Sequence, residues 1–326
     1  MKIVFWILLA LLLLVVAPTM AMSYAIFTVV LVRTKPEKWG RECSMPEDEV
    51  QRRIYEDGEV FEAAHLDKKR AVDIENDGFH LCGEYFDFGQ KRAVIIIPGR
   101  MEGCRYSYHF AYPYERAGYN VLVIDNRSHG LSEGKYNSLG FKEYRDILAW
   151  GRFLHDTCGN ESVVLHGVCI GSSTALFAMT APDCPPYMAA MTADGMYVTF
   201  YETFKNHMIQ QGRPLYPFIW EVMLYVRLLA GANVVTDGPR KRIGGMRRPI
   251  LFLHSREDQF SLPDKAEILY GLCPSSEKRM VWFDHGEHSR IRITDPEAYD
   301  RAVTAYLDAL EADGRVCPAL GAPMTK

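Results

Sequence analysis

The sequence predicts an α/β fold in which a doubly wound, mostly parallel sheet carries a helical cap insertion and follows one apolar N-terminal helix. Short, uninterrupted apolar runs rich in β-branched residues recur along the chain, and such runs are typical of strands buried on both faces. Amphipathic helical segments alternate with these runs, as expected for a parallel sheet. The alternation stops after residue 195 and resumes near residue 249, which indicates the insertion.

Composition excludes several classes of function. The chain has 326 residues, 48% of them apolar and 24% charged, which is ordinary for a globular protein. Its formal charge of -4 and the lack of a basic stretch argue against a nucleic-acid partner. Eight cysteines are scattered without a C-x-x-C pair, so neither a zinc site nor a compact disulfide framework is indicated. We expect no metal and no organic cofactor.

The N-terminus contains no charged residue between Lys2 and Arg33. A helix of about 20 apolar residues spans a bilayer, so we predict a single-pass membrane anchor. The alternative is a cleaved signal peptide, with residues 8–16 as its apolar core and residues 19–21 as a small-x-small cleavage site, which would give a secreted protein. Cleavage would leave residues 24–32 as an apolar mature end, which favours the anchor. The side of the membrane stays open, because positive charges flank both ends.

The remaining elements follow in chain order. We interpret residues 36–70 as a juxtamembrane segment with a short helix near residues 47–55, and residues 71–88 as an edge hairpin that turns at Asp77 and Gly78. Buried strands are predicted at residues 93–97, 120–124, 162–165, 189–192, 249–254 and 280–283. Helices are predicted at residues 106–117, 141–156, 266–272 and 295–313. The resulting division is 1–35 for the anchor or signal segment, 36–70 for the juxtamembrane segment, 71–195 with 247–326 for the core, and 196–246 for the cap.

The predicted cap is rich in aromatic residues. Most of them are expected to pack the cap onto the core, but some should face a pocket above the strand ends. The candidates for that pocket are Tyr197, Phe200 and Tyr201.

A sharp strand-to-helix turn is predicted at residues 163–176, which read VVLHGVCIGSSTAL. Cys169 lies at the apex of a G-x-C-x-G sequence. Glycines on both sides are needed because the apex residue is strained and the helix start packs against the strand. The turn is a nucleophile elbow with cysteine in place of serine.

Two further residues complete a candidate catalytic triad. Asp258 and His288 each come just after a predicted strand, at the edge where parallel sheets carry their sites. A nucleophile needs a neighbouring base, and the base needs a carboxylate that fixes its tautomer. Asp194, after another strand, is the reserve acid, and His285 is the less favoured base.

The same chemistry requires two backbone N–H groups that stabilise a developing oxyanion. We expect one from Ile170, directly after the nucleophile, and one from the loop after Gly99, at Arg100 or Met101.

From about residue 71 onward the chain resembles the serine aminopeptidase S33-like and prolyl oligopeptidase-like α/β-hydrolases, in particular membrane-anchored bacterial members. Six blocks carry the resemblance: IIIPGR (95–100), GYNVLVIDNRSHGLSEGKY (118–136), LHGVCIGSS (165–173), ADGMY (193–197), PILFLHSREDQFSLP (249–263) and GEHSRIRITDPEAY (286–299). The resemblance implies an α/β-hydrolase fold with Cys169, Asp258 and His288 as nucleophile, acid and base.

Two positions depart from this family. Pro98 stands where the family usually has histidine, and Cys169 stands where it has serine. Cysteine at the elbow is similar to dienelactone hydrolases, polyhydroxyalkanoate synthases and bile-acid-CoA amino-acid acyltransferases. A helix N-terminus and a neighbouring imidazolium both favour the thiolate form of a cysteine, which attacks esters and thioesters.

These observations predict a hydrolase that acts on an ester, thioester or related acyl carbonyl through an acyl-cysteine intermediate. The expected partners are a small-molecule or lipid-like acyl substrate and the membrane. An acyltransferase on the same scaffold is the first alternative, and a noncatalytic binding protein is the second.

Overall fold

A computed structural model describes residues 2–34 and 45–320. Eight strands form one sheet in the order β1-β2-β4-β3-β5-β6-β7-β8. The first two pairings are antiparallel and all the others are parallel. The strands are β1 (Lys69–Asn76), β2 (Phe79–Phe86), β3 (Arg92–Ile97), β4 (Asn120–Ile124), β5 (Ser162–Val168), β6 (Met188–Asp194), β7 (Ile250–Ser255) and β8 (Lys278–Phe283).

Helices precede the sheet, cover both its faces and form the insertion. The α-helices are α1 (Lys2–Leu31), α2 (Glu49–Ala64), α3 (Cys104–Ser107), α4 (Tyr112–Arg116), α5 (Tyr144–Arg152), α6 (Ile170–Met179), α7 (Phe200–Gln210), α8 (Phe218–Tyr225), α9 (Pro239–Arg242), α10 (Pro263–Leu272), α11 (Ile291–Thr294) and α12 (Pro296–Ala312). Short 3-10 turns occupy Tyr108–Phe110 and Ile243–Gly245, and π-helical turns occupy Phe153–Thr157 and Val226–Ala230.

The central strands are buried along their whole length. Every residue of β3 is buried, and its successive side chains enter two different apolar clusters, Ile95 in one and Ile96 in the other. Because strand side chains alternate between the two faces, the sheet has an apolar core on each side. This explains why the strand sequences are continuously apolar rather than alternating. The predicted fold class, with its doubly wound sheet and N-terminal apolar helix, is confirmed.

The edge hairpin turns where the sequence predicts it. β1 and β2 pair from Lys69 with Phe86 to Asn76 with Phe79, which leaves Asp77 and Gly78 as the turn. Both turn residues have positive φ angles, as a two-residue hairpin of this type requires.

Helix α2 occupies much of residues 36–70, the segment interpreted from the sequence as juxtamembrane. The helix is twice as long as expected, starts with the Asp48 side chain accepting the N–H of Gln51, and buries Ile54 and Phe61. It lies against residues 104–110, so it belongs to the body of the domain. The part of the predicted segment at residues 36–44 lies outside the described residues.

Helix α1 contacts the insertion with its second half. The hydroxyl groups of Thr19 and Ser23 donate to the two carboxylate oxygens of Glu221 on α8, each over 2.8 Å. The rings of Tyr24 and Phe27 lie 5.3 and 6.0 Å from that of Tyr225. The first half of α1 exposes large apolar side chains, including Ile3, Phe5 and Trp6.

The chain after α1 continues along the body of the domain. Val32 forms a β-bridge with Tyr136, and the Arg33 side chain donates to the carbonyls of Gly130 and Ser132. Residues 24–32 therefore have a partly buried position of their own. Signal cleavage would therefore not leave these residues as an exposed apolar end, and this reason for favouring the anchor no longer applies.

Candidate active site

The nucleophile elbow joins β5 directly to α6. Cys169 lies between them with φ 54° and ψ -114°, a conformation that is strained for any residue with a side chain. A Cβ atom on Gly171 would lie 2.1 Å from the carbonyl oxygen of Ile97, and one on Gly167 would lie 2.4 Å from the carbonyl carbon of Gly171. Both glycines are thus required by the contact between the helix start and the sheet.

The two serines after the elbow have buried, hydrogen-bonded hydroxyl groups. The hydroxyl of Ser172 donates to the carbonyl oxygens of Gly167 and Asp194 at 2.6 and 2.9 Å. That of Ser173 donates to the carbonyl of Ile170 at 2.8 Å. Both serines are fully buried, so neither can replace Cys169 as a nucleophile.

Asp258 and His288 lie in contact although 30 residues separate them in the chain. The Asp258 Oδ2 atom is 2.7 Å from His288 Nδ1, and its Oδ1 atom accepts the N–H groups of Phe260 and Ser261. Burial alone would raise the pKa of Asp258, but the charge of His288 and these hydrogen bonds hold it below its usual value. The carboxylate is therefore ionised at neutral pH and fixes the proton of His288 on Nδ1.

The other ring nitrogen of His288 is available for proton transfer. Its Nε2 atom is buried and has no hydrogen-bond partner among residues 2–34 and 45–320. Burial would lower the pKa of His288, but the negative charges of Cys169 and Asp258 outweigh this and raise the pKa well above its usual value. The ring of His288 therefore binds a proton readily.

His285 lies at the surface, away from this arrangement. Its side chain is 79% exposed and its Nδ1 atom pairs with Glu257 at 3.0 Å. The structure brings His288, and not His285, to the acid after β7.

Asp194 lies outside the hydrogen-bonded pair of Asp258 and His288. Its Oδ2 atom accepts the hydroxyl of Tyr299 at 2.8 Å, while Oδ1 is buried and has no partner in the described part of the chain. Burial raises the pKa of Asp194 to about 7. Tyr299 also approaches His166, which in turn contacts Tyr114, so a buried polar network supports this carboxyl.

The loop after β3 approaches the elbow closely. A Cβ on Gly99 would lie 3.6 Å from the Cβ of Cys169. The N–H of Met101 donates to Nε2 of His129 at 3.1 Å, and burial lowers the pKa of His129 to about 4, so that this ring is neutral and can accept. The N–H groups of Arg100 and Ile170 make no such hydrogen bond to the described protein groups. Of the two candidates in this loop, Arg100 retains an available backbone donor.

The three predicted pocket aromatics have different surroundings. Tyr197 is buried, and its hydroxyl lies 3.1 Å from that of Ser173. Burial raises the pKa of Tyr197, and a negative charge on Cys169 would raise it further. Phe200 stacks on Phe204, and Tyr201 stacks on Trp220, both within the insertion. Of the three aromatic residues, Tyr197 is therefore the one that contacts the helix after the elbow.

The side-chain contacts of two polar residues near the elbow, Glu102 and Arg100, were not predicted from the sequence. Glu102 accepts hydrogen bonds from Gln51, at 2.8 Å, and from Tyr55, both on α2. Burial raises the pKa of Glu102 to about 7. The Arg100 side chain donates to the carbonyl of Val30 at the end of α1. Neither contact has a signal in the local sequence, because both partners come from N-terminal helices that seemed separate from the domain.

Comparison with known proteins agrees with this geometry. The family described as alpha/beta hydrolase fold matches residues 92–221. The chain has the α/β-hydrolase fold. Its central strands, elbow and cap start all lie within the matched range, and the resemblance predicted from the six sequence blocks is confirmed at the level of the superfamily.

Individual relatives are distant. The uncharacterized protein YqkD of Bacillus subtilis is 26% identical over 266 residues, which are 80% of this chain and 87% of that protein. The uncharacterized membrane protein YNL320W of Saccharomyces cerevisiae is 26% identical over 56% of this chain and 59% of its own length. The solved esterase Pf2001 of Pyrococcus furiosus superposes with a TM-score of 0.62 and 22% identity over 74% of this chain and 91% of that one. At this identity the structural likeness concerns the fold.

Proposed function

We propose that this α/β-hydrolase-fold protein hydrolyses an ester, thioester or related acyl compound with Cys169 as nucleophile, His288 as acid and base, and Asp258 as the group that orients His288. The observation that carries the proposal is the Asp258 to His288 hydrogen bond of 2.7 Å beside the strained elbow cysteine. The esterase among the structural neighbours is consistent with this class of reaction.

The proposed reaction has two halves. The Cys169 sulfur attacks the acyl carbon, and the N–H groups of Arg100 and Ile170 stabilise the oxyanion. The bond from the acyl carbon to the leaving group then breaks, and the leaving oxygen or sulfur takes the proton from His288 Nε2. In the second half, water adds to the acyl-cysteine and gives one proton to His288, after which the acyl carbon to sulfur bond breaks and the carboxylic acid leaves.

The test is intact-mass spectrometry of the full chain during incubation with a panel of p-nitrophenyl esters and acyl-CoA compounds. We expect a transient mass increase equal to the acyl group, located on Cys169, together with free acid. The Cys169→Ala variant should show neither, whereas Cys317→Ala, at the other end of β5, should behave as the wild type.

The same experiment decides between the alternatives. An acyl adduct that is released only onto an added amine or alcohol would favour the acyltransferase. No adduct and no product with any ester or thioester would contradict the proposal and favour a binding protein.

We also propose that α1 remains attached and associates the protein with a membrane. The helix contains the chain segment Leu14–Leu31, which is long and apolar enough to cross a bilayer, although a signal sequence satisfies the same criterion. Thr19, the first residue of the candidate cleavage site, contributes one of the two hydrogen bonds to Glu221. The exposed apolar side chains of the first half of α1 are unfavourable in water.

This second proposal is tested by the mass of the mature chain. We expect a C-terminally tagged protein to sediment with membranes and to retain residues 1–21. The Ala21→Leu variant, in which signal cleavage is blocked, should then have the same processing as the wild type. A mature wild-type chain that begins at Met22 would contradict the proposal.

A further inference from the structure

The side chain of Arg100 lies beside the elbow without an ion-pair partner among the described residues. It is partly buried, and its only hydrogen bonds to residues 2–34 and 45–320 join Nη1 to the Val30 carbonyl at 3.2 Å and to the Met101 sulfur at 3.0 Å. A guanidinium has five N–H donors in a planar fork, so most of its donors remain available.

The acidic residue closest in the chain, Glu102, forms no ion pair with the Arg100 guanidinium in the described part of the chain. Glu102 is held by the hydrogen bonds from Gln51 and Tyr55, and burial raises the pKa of its carboxyl to about 7. Burial lowers the pKa of Arg100, while charges on Cys169 and Glu102 act in the opposite direction. Arg100 directly follows Gly99, where a Cβ would lie 3.6 Å from the Cβ of Cys169, so Arg100 belongs to the loop that lies against the elbow.

A buried cation without a carboxylate partner is costly. Two arginines that are more deeply buried than Arg100 have one, Arg292 with Asp300 and Arg127 with Asp146. Arginine is also the residue best suited to bind a carboxylate through two parallel hydrogen bonds. An anionic ligand would supply the partner that the protein itself does not provide.

We propose that the Arg100 guanidinium is an anion subsite that binds a carboxylate group of the substrate close to the carbonyl that Cys169 attacks. This inference rests on the proposed function and narrows it to acyl compounds with a second, negatively charged group. The backbone N–H of Arg100 and its side chain then have separate roles, because the N–H faces the oxyanion and the guanidinium faces the distal carboxylate.

A competing role for Arg100 makes a different prediction. If the guanidinium only stabilised the Cys169 thiolate, its removal would slow every reagent that attacks this cysteine by the same factor. If it binds a carboxylate, its removal slows anionic reagents more than neutral ones. Two alkylating reagents of nearly equal size, iodoacetate and iodoacetamide, distinguish these roles. In both reactions the sulfur forms a bond to the CH₂ carbon and iodide leaves, so that iodoacetate adds a carboxymethyl group and iodoacetamide a carbamidomethyl group.

The experiment measures the rate of Cys169 alkylation by each reagent in the full chain, followed by peptide mass spectrometry. We expect the ratio of the iodoacetate rate to the iodoacetamide rate to fall roughly tenfold or more in Arg100→Gln, the size of a lost charge-assisted hydrogen bond. Arg100→Lys should have an intermediate ratio. Arg105→Gln is the matched control, since Arg105 is nearby but is paired with Glu59, and it should keep the wild-type ratio.

A failure of the anion subsite can be distinguished from a failure of the proposed function. An unchanged ratio in Arg100→Gln, or an equal fall in Arg105→Gln, would overturn the anion subsite. Absolute rates at Cys169 no higher than those of an unfolded thiol would instead contradict the activated nucleophile, and the ratio could still be measured. Circular dichroism of each variant checks that the loss of the Val30 contact leaves the fold intact.

Discussion

The Nδ1 atom of His288 lies 2.7 Å from the Oδ2 atom of Asp258. Because Oδ1 of the same carboxylate is occupied by two backbone N–H groups, the carboxylate cannot rotate without losing them. The ring of His288 is thereby held in one tautomer and one orientation, with Nε2 free to exchange a proton.

Replacing this carboxylate should remove most of the activity. We expect Asp258→Asn to lower kcat/KM by about 10³- to 10⁴-fold, as the amide favours the wrong tautomer of the base. The matched change Asp194→Asn, at a carboxyl that does not contact the His288 ring nitrogen, should cost far less. Steady-state kinetics on an ester identified by mass spectrometry measures both. A larger loss in Asp194→Asn would make Asp194 the catalytic acid.

The reactivity of Cys169 should depend on His288. An ordinary cysteine is only a few per cent thiolate at pH 7, whereas the raised pKa of His288 keeps an imidazolium beside Cys169. We expect His288→Ala to slow iodoacetamide alkylation of Cys169 about 20-fold at pH 7. Equal rates at pH 7 would contradict this dependence.

The elbow should tolerate no side chain at Gly171. A Cβ there would lie 2.1 Å from the Ile97 carbonyl oxygen, so we expect Gly171→Ala to lower the free energy of unfolding by about 3 kcal/mol or more, at the upper end of overpacking costs. At Gly244 a Cβ meets no atom within 4 Å, and Gly244→Ala should change stability by less than about 0.5 kcal/mol. Urea denaturation of both variants provides the comparison. Similar midpoints would show that α6 can shift away from the sheet.

The buried carboxyl of Asp194 should make stability depend on pH. Its pKa is about 7 in the folded chain, whereas an unfolded aspartic acid releases its proton near pH 4. Folding therefore takes up a proton between these values, and the free energy of unfolding falls as the pH rises through this window. Asn cannot ionise, so the Tm of Asp194→Asn relative to wild type should increase from pH 5 to pH 8.

The control for this prediction is Asp308→Asn on the exposed face of α12. Its Tm difference from wild type should be the same at both pH values. A Tm difference for Asp194→Asn that does not change with pH would mean that Asp194 is already ionised at pH 5.

The sequence predicted those features that depend on local pattern. The apolar runs identify strands such as β3 because a strand covered on both faces has no polar side, and Gly167, Cys169 and Gly171 identify the elbow because its geometry excludes other residues. Asp258 and His288 could be predicted as partners because the functional residues of parallel sheets lie at the carboxyl ends of the strands. Their mutual distance, however, depends on the packing of loops that no local pattern describes.

The contacts of α1 with the domain could not be predicted from its sequence pattern. An apolar helix of 30 residues has no polar face that would show which side meets the protein. One signal was present: Thr19 and Ser23 lie four residues apart, on the same side of a helix, and a polar pair in an apolar segment indicates a polar partner. That partner, Glu221, could not be identified from sequence.

The Val30 to Arg100 hydrogen bond has a practical consequence for anyone who prepares this protein. Residues 2–34 look like a dispensable leader, and removal of such a stretch is the usual route to a well-behaved sample. Here these residues supply the Val30 carbonyl, which accepts a hydrogen bond from Arg100. They also supply the Arg33 side chain, which donates to two carbonyl groups in the loop after β4. A shortened sample would lack these contacts, and any activity measured on it would describe the truncated protein and not the full chain.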